Sequence, residues 1–192
     1  MNNIGGFDII FFRLKLEINM EYTLRQAEIG DAEAIHDIYG YYVDNTFITF
    51  TENNPSIEDY KNSIVNTLKN YPYIVACDKN DKVIGMAYAG QIRHHDAYRY
   101  AVETTIYLAN NVPKHNGIGR SLYHELECQL KEMGYKFMYG VITDDNYASI
   151  SFHETLGFEK VGYFTNIGYK FGKWKGIVWY RKQIGSLTDM PQ

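Results

Sequence analysis

Hydrophobic positions along the chain change period repeatedly, and each change marks an element. Residues 22–27 alternate and read as a strand, closed by Gly30 and Asp31, with the aspartate placed to cap a helix. From Ala32 onward, Ile35, Ile38, Tyr39 and Tyr42 recur at three and four, which predicts an amphipathic helix. A loop holding residues 46–50 follows, and Ser56 to Asp59 resembles a capping box opening a second helix with Ile57, Tyr60, Ile64 and Leu68 on its apolar positions. Residues 73–77 and 83–90 are strand-like runs joined by the polar turn 78–82, and residues 100–108 form a third such run. Ile118, Leu122, Leu126, Leu130 and Met133 line one side of a helix that Gly134 is suited to end. Residues 137–142 read as a buried strand, and Asp144 to Asn146 begin a helix on which Ser149, Phe152, His153 and Leu156 share a face until Gly157. The aromatic segment 158–182 suits two antiparallel strands joined near residues 171–174.

This order predicts an α/β fold of mixed α+β type, a mostly antiparallel central sheet flanked by helices. One domain is expected over residues 21–183, with an N-terminal extension at 1–20 and a loose polar tail at 184–192. The extension's apolar run, residues 7–12, is too short to span a bilayer and lacks signal-peptide flanks. Met20-Glu21 directly before the first strand leads to the expectation that translation begins at Met20. A net charge of -4 supplies no basic excess to neutralise nucleic-acid phosphates. Cys77 and Cys128, each in an apolar segment, read as reduced core residues of a cytoplasmic protein. Adjacent His94 and His95 with Asp96 in one polar loop give poor ligand geometry, so no metal is expected.

Chemistry is suggested first by residues 111–120, a glycine-bearing loop between a strand and a helix N-terminus. Gly117 and Gly119 let the backbone approach a ligand, and the unpaired N–H groups of the first turn favour phosphate. Taken alone, the two glycines also suit a helix start that binds nothing.

Two motifs decide between those readings. Lys114-His115-Asn116-Gly117-Ile118-Gly119 resembles the Arg/Gln-x-x-Gly-x-Gly/Ala pyrophosphate loop of the GNAT superfamily of acyl-CoA-dependent N-acyltransferases, with lysine in place of the usual first residue. Asn146, Ser149, His153 and Leu156-Gly157-Phe158 resemble its second marker, correctly separated. The resemblance spans residues 22–182 and is closer to the phosphinothricin and methionine-sulfone N-acetyltransferase branch, through Ala97-Tyr98-Arg99, Val102 to Tyr107, His153 to Phe158 and Gly168 to Trp174. Gly176, where an acidic residue is often found, and His94-His95, where the loop is usually basic, depart from the branch.

The resemblance implies an acetyl-CoA-dependent N-acetyltransferase acting on the α-amine of a small amino acid or analogue by direct attack in a ternary complex. A protein N-terminus, lysine or polyamine is the alternative acceptor class, and a non-catalytic CoA-binding domain a further rival. It implies donor contacts through Lys114 and the backbone of Asn116, Gly117, Ile118, Gly119 and Arg120, with Ile106, Tyr107 and Leu108 offering a strand edge to pantetheine and Asn146 and Ser149 placed along its arm. Asn146 also suits a simple helix cap. Glu103, mid-strand between apolar neighbours, is the candidate general base, and a purely structural carboxylate there needs a partner such as Arg99 or Lys170. His153 is the candidate general acid or proton relay, with core packing as the alternative. Arg99 and Lys170 are candidates for an acceptor carboxylate, and Phe47, Tyr98 and Trp174 for an aromatic wall. The branch also implies a homodimer; the charge and the short apolar run lead to the expectation of no nucleic-acid or membrane partner.

Overall fold

The computed structural model describes residues 21–114 and 116–188. The expectations for residues 1–20, including a start at Met20, lie outside the described residues, as do His115 and residues 189–192. Among the described residues, β1 (Tyr22–Gln26), β2 (Tyr73–Asp78), β3 (Val83–Gln91), β4 (Ala101–Leu108), β5 (Phe137–Thr143), β6 (Glu159–Lys170) and β7 (Lys173–Gln183) form one sheet in the order β1-β2-β3-β4-β5-β7-β6. Every neighbouring pair is antiparallel except β4 and β5, whose parallel pairing requires a crossover. That crossover is α3 (Ile118–Glu132); the other helices are α1 (Ala32–Asn45), α2 (Ile57–Leu68) and α4 (Tyr147–Thr155).

Alternation along the strands divides the side chains between two helical layers. On one face, Ile35 and Ile38 of α1 and Tyr60 and Ile64 of α2 pack against Val75, Cys77 and Met86. On the other, Leu122, Leu126 and Leu130 of α3 pack against Ile74, Ala87, Val102 and Met138. Burial of each such leucine stabilises the fold by roughly 1.5–3 kcal/mol. The α2 start is the expected reciprocal box: the Asp59 N–H donates to Ser56 Oγ and the Ser56 N–H to Asp59 Oδ2.

Three local expectations are corrected. Asp31 does not cap α1 with its side chain; it accepts the Glu28 N–H at 2.7 Å and a fork from Arg25 at 2.7 and 2.8 Å, tying the helix start to β1. Cys77 is buried, but Cys128 lies half-exposed on α3 with its Sγ 3.8 Å from His124 Nδ1. Ile184, assigned to the tail, is a core residue whose N–H donates to the Lys136 carbonyl. The β6–β7 hairpin turns at Phe171 (φ 46°) and Gly172 (φ 73°), two consecutive left-handed residues that match the twist of the flanking strands.

Candidate active site

The ladder between β4 and β5 stops early. Pairing runs from Ala101–Phe137 to Glu103–Tyr139, yet the strands continue to Leu108 and Thr143. Where it ends, Thr104 Oγ1 donates to the Tyr139 carbonyl at 3.0 Å, and beyond that point the two strands part to leave a cleft through the sheet. Gly117 and the start of α3 stand past the C-terminal end of β4, on the cleft's rim.

Gly117 has φ 85°, which lets the chain enter α3 from a left-handed residue at low cost. Asn116 Oδ1 accepts the Ile118 N–H at 3.0 Å, so that donor, expected to face a phosphate, is already used. Asn116 Nδ2 is buried and has no partner. Ile118 and Gly119 are buried, with Gly119 placed so that a Cβ would lie 3.5 Å from the Phe152 ring and 3.7 Å from Ile106 Cδ1. Lys114 and Arg120 are exposed. The first-turn N–H groups at Gly119 and Arg120 have no carbonyl of their own helix to reach, and the Asn116 amide points a further donor inward. This donor set fits a pyrophosphate. The strand edge is less open than expected, because the Leu108 carbonyl accepts the Tyr42 hydroxyl at 2.6 Å.

Glu103 sits at the last β4–β5 pair, half-buried, on the face that carries α1 and α2. Burial raises its carboxyl above the ordinary range, and the positive charge of Arg93 pulls it back. Neither proposed structural partner reaches it: Arg99 donates to the Asp96 carbonyl and stacks over Tyr100, and Lys170 is engaged elsewhere. Asn146 Oδ1 accepts the Ser149 N–H, so the helix-cap role is present in the geometry.

His153 is 2% exposed. Its Nδ1–H donates to the Ser149 carbonyl at 2.8 Å, which leaves Nε2 to accept the Tyr123 hydroxyl at 2.9 Å. Tyr123 in turn lies 3.2 Å from Thr104 Oγ1 at the head of the cleft. The ring rests on Gly140, where a Cβ would come within 2.8 Å of Nε2. Burial lowers the imidazole pKa, so the group is neutral and both nitrogens are used inside the protein. The ring braces α4 against β5, and through the Tyr123 hydroxyl it is linked to Thr104.

The five acceptor-side candidates do not converge in one chain. Phe47, Lys170 and Trp174 lie at the β6–β7 turn, where Phe47 contacts Phe171 and the Lys175 ammonium stands 4.5 Å from its ring. Tyr98 and Arg99 precede Ala101, whose partner Phe137 also pairs with Gln183 at the far end of β7. Ten residues of strand, about 33 Å, separate those ends. Lys170 is 2% exposed and donates to the Thr46 and Thr49 carbonyls at 3.0 and 2.9 Å. Its ammonium anchors the loop between α1 and α2 instead of facing a ligand.

Residues 24–179 match the family model described as an acetyltransferase (GNAT) domain. The chain belongs to the GNAT acetyltransferases. It is 32% identical over 168 residues to the L-methionine sulfoximine/L-methionine sulfone acetyltransferase of Salmonella typhimurium, covering 84% of this chain and 94% of that protein. It is 28% identical over 161 residues to the phosphinothricin N-acetyltransferase of Streptomyces viridochromogenes, covering 84% and 87%. The solved phosphinothricin acetyltransferase of Sinorhizobium meliloti, in complex with AcCoA, superimposes with a TM-score of 0.85 at 35% identity, over 90% of this chain and 94% of that one.

In this GNAT acetyltransferase several residues of the cleft escape a reading by motif. Tyr123 lies on the apolar side of α3 and carries the spacing of a core residue; its hydroxyl becomes polar partner to His153 only through the packing of α3 on α4. Thr104, Thr143 and Trp179 lie on strands and offer no spacing that separates them from the core. Arg93 is exposed in the loop before β4, and its relation to Glu103 arises from the β3–β4 pairing.

Proposed function

We propose that this acetyltransferase uses acetyl-CoA to acetylate the α-amine of a small amino acid or analogue, of the phosphinothricin, methionine sulfone or methionine sulfoximine type, within a ternary complex. The observation that carries the reading is Glu103, a carboxylate of raised pKa standing where β4 and β5 part. An amine substrate arrives protonated, and a carboxylate at the cleft, directly or through water, takes that proton and frees the nitrogen lone pair. The nitrogen then attacks the thioester carbon and sheds its second proton, the carbon–sulfur bond breaks, and the thiolate takes up a proton to leave as free CoA. The Asn116 side-chain amide and the first turn of α3 supply donors for the pyrophosphate of the donor substrate. Neither cysteine suits a covalent acetyl-enzyme: Cys77 is buried with its thiol pKa raised by that burial, and Cys128 lies on α3 away from the cleft. The names of the relatives support the acceptor class.

A homodimer belongs to the same proposal. Tyr163, Phe164, Ile167, Tyr169, Phe171 and Trp174 are each at least half exposed along the β6–β7 hairpin, an apolar surface of the kind that marks an interaction site. A second copy of the chain is the partner that covers it.

The test is a CoA-release screen across amino acids, methionine sulfone, methionine sulfoximine, phosphinothricin, polyamines and short peptides. Turnover with the oxygenated amino acids is the expected result. Turnover confined to peptides or polyamines overturns the acceptor assignment, and CoA binding without release from any amine overturns the enzyme reading.

A further inference from the structure

Three side-chain polar atoms among the described residues are sealed from solvent without a hydrogen-bond partner: Asn116 Nδ2, Thr143 Oγ1 and Trp179 Nε1. A buried polar group left unpaired costs about 1–3 kcal/mol, so each calls for a reason. Asn116 belongs to the loop already described. The other two are neighbours on the opposite wall of the cleft.

Their placement follows from register. Thr143 ends β5 opposite Ile177, and Trp179 stands opposite Val141 two pairs earlier, so Thr143 and Trp179 are diagonal neighbours on one face. Tyr139 and Val141 share that face by alternation, and Tyr139 pairs with Glu103, which puts the proposed base on it as well. The Trp179 ring lies 6.3 Å from the ring of Tyr139. Thr143 is 4% exposed. Over the same face, the loop between α1 and α2 is held by Lys170, with Phe50 resting on Gly168 and Phe47 beside Lys175.

An indole N–H only donates, and a threonine hydroxyl donates or accepts, so the pair calls for a ligand with oxygen acceptors. Diagonal neighbours on a sheet stand about 7–8 Å apart at the backbone. Two hydrogen bonds of about 2.9 Å to the oxygens of one tetrahedral centre span such a gap. We propose that Thr143 and Trp179 bind the oxygens on the side-chain head group of the acceptor, a tetrahedral sulfur or phosphorus centre, while its α-amine lies at Glu103. This inference rests on the amino-acid reading above. A thioether sulfur is a weak acceptor and leaves both donors unpaired, so the site discriminates methionine sulfone from methionine.

The test compares wild type, Thr143→Val, Thr143→Ser and Trp179→Phe in steady-state assays with methionine sulfone and methionine, with thermal midpoints measured alongside. In Thr143→Val and Trp179→Phe the KM for methionine sulfone rises by about tenfold or more, as loss of a buried hydrogen bond implies. The KM for acetyl-CoA stays within about twofold, and the preference for sulfone over thioether falls. Thr143→Ser keeps the hydroxyl and retains the wild-type preference. If Trp179→Phe fails to fold, the threonine pair decides the matter. An unchanged sulfone KM and preference in Thr143→Val overturns the inference, as does a rise in both KM values together with a lowered midpoint. Wild-type enzyme that turns over no oxygenated amino acid overturns the function reading and this inference with it, whereas wild-type turnover with unaffected variants overturns the inference alone.

Discussion

A carboxylate half-buried at mid-strand, as Glu103 is, binds its proton more tightly than one in water, and Arg93 offsets part of that shift. A base is active once deprotonated, so kcat/KM rises with pH through the Glu103 pKa, and the acid limb of the profile lies above the ordinary carboxylate range. Glu103→Gln is expected to abolish that limb and lower turnover by roughly 10²-fold or more, read from pH–rate profiles of both proteins. His153 makes the opposite argument. Its folded pKa is lowered by burial, so the unfolded chain binds the proton more readily. The stability it confers is full above about pH 6.5, its unperturbed value, and is lost as pH falls through the lowered folded value. Denaturant titrations from about pH 7.5 to 5 should show this slope in wild type and its absence in His153→Gln. Gly140→Ala, whose Cβ would meet the imidazole at 2.8 Å, is expected to destabilise by about 1–3 kcal/mol in the same titrations. Glu103 was visible in the sequence because a lone carboxylate between Val102 and Ile106 breaks an apolar strand. The satisfied state of His153 was not, because Tyr123, its partner, is 30 residues away on another helix.

At the scale of elements, periodicity located all seven strands and four helices of the described residues, most ends within a residue or two. What it left open was how a loop is held. Lys170 lies 124 and 121 residues from the carbonyls it binds, a separation no local pattern encodes, so in sequence its charge looked available to a substrate. Lys170→Met removes both bonds and leaves two carbonyls unpaired. A loss of about 1–3 kcal/mol in thermal or denaturant unfolding, with faster proteolysis of residues 46–50, is the expected outcome. Unchanged stability would show that the loop is held without it.

At the scale of the whole molecule, the β6–β7 hairpin leaves Phe164 and Ile167 half exposed with aromatic neighbours on both strands. Sedimentation of the wild type should report a dimer, and Phe164→Lys combined with Ile167→Lys a folded monomer. A monomeric wild type at micromolar concentration would remove the partner copy from the proposal. Among the described residues no helix is long and apolar enough to cross a membrane.

Sequence alone determined the elements, their order, the glycine loop before α3 and a carboxylate on β4, because each is written in spacings of a few residues: period two, period three to four, a glycine where φ is positive. Tertiary structure alone decided which polar groups are satisfied. It gave Lys170 to a loop, buried His153 against Tyr123, set Tyr98 and Arg99 toward the end of the sheet opposite the hairpin turn, and left Thr143 and Trp179 unpaired on the face of Glu103. Satisfaction of a buried polar atom depends on what the sheet order brings beside it, and β7, inserted between β5 and β6, is where that order departs from the order of the chain.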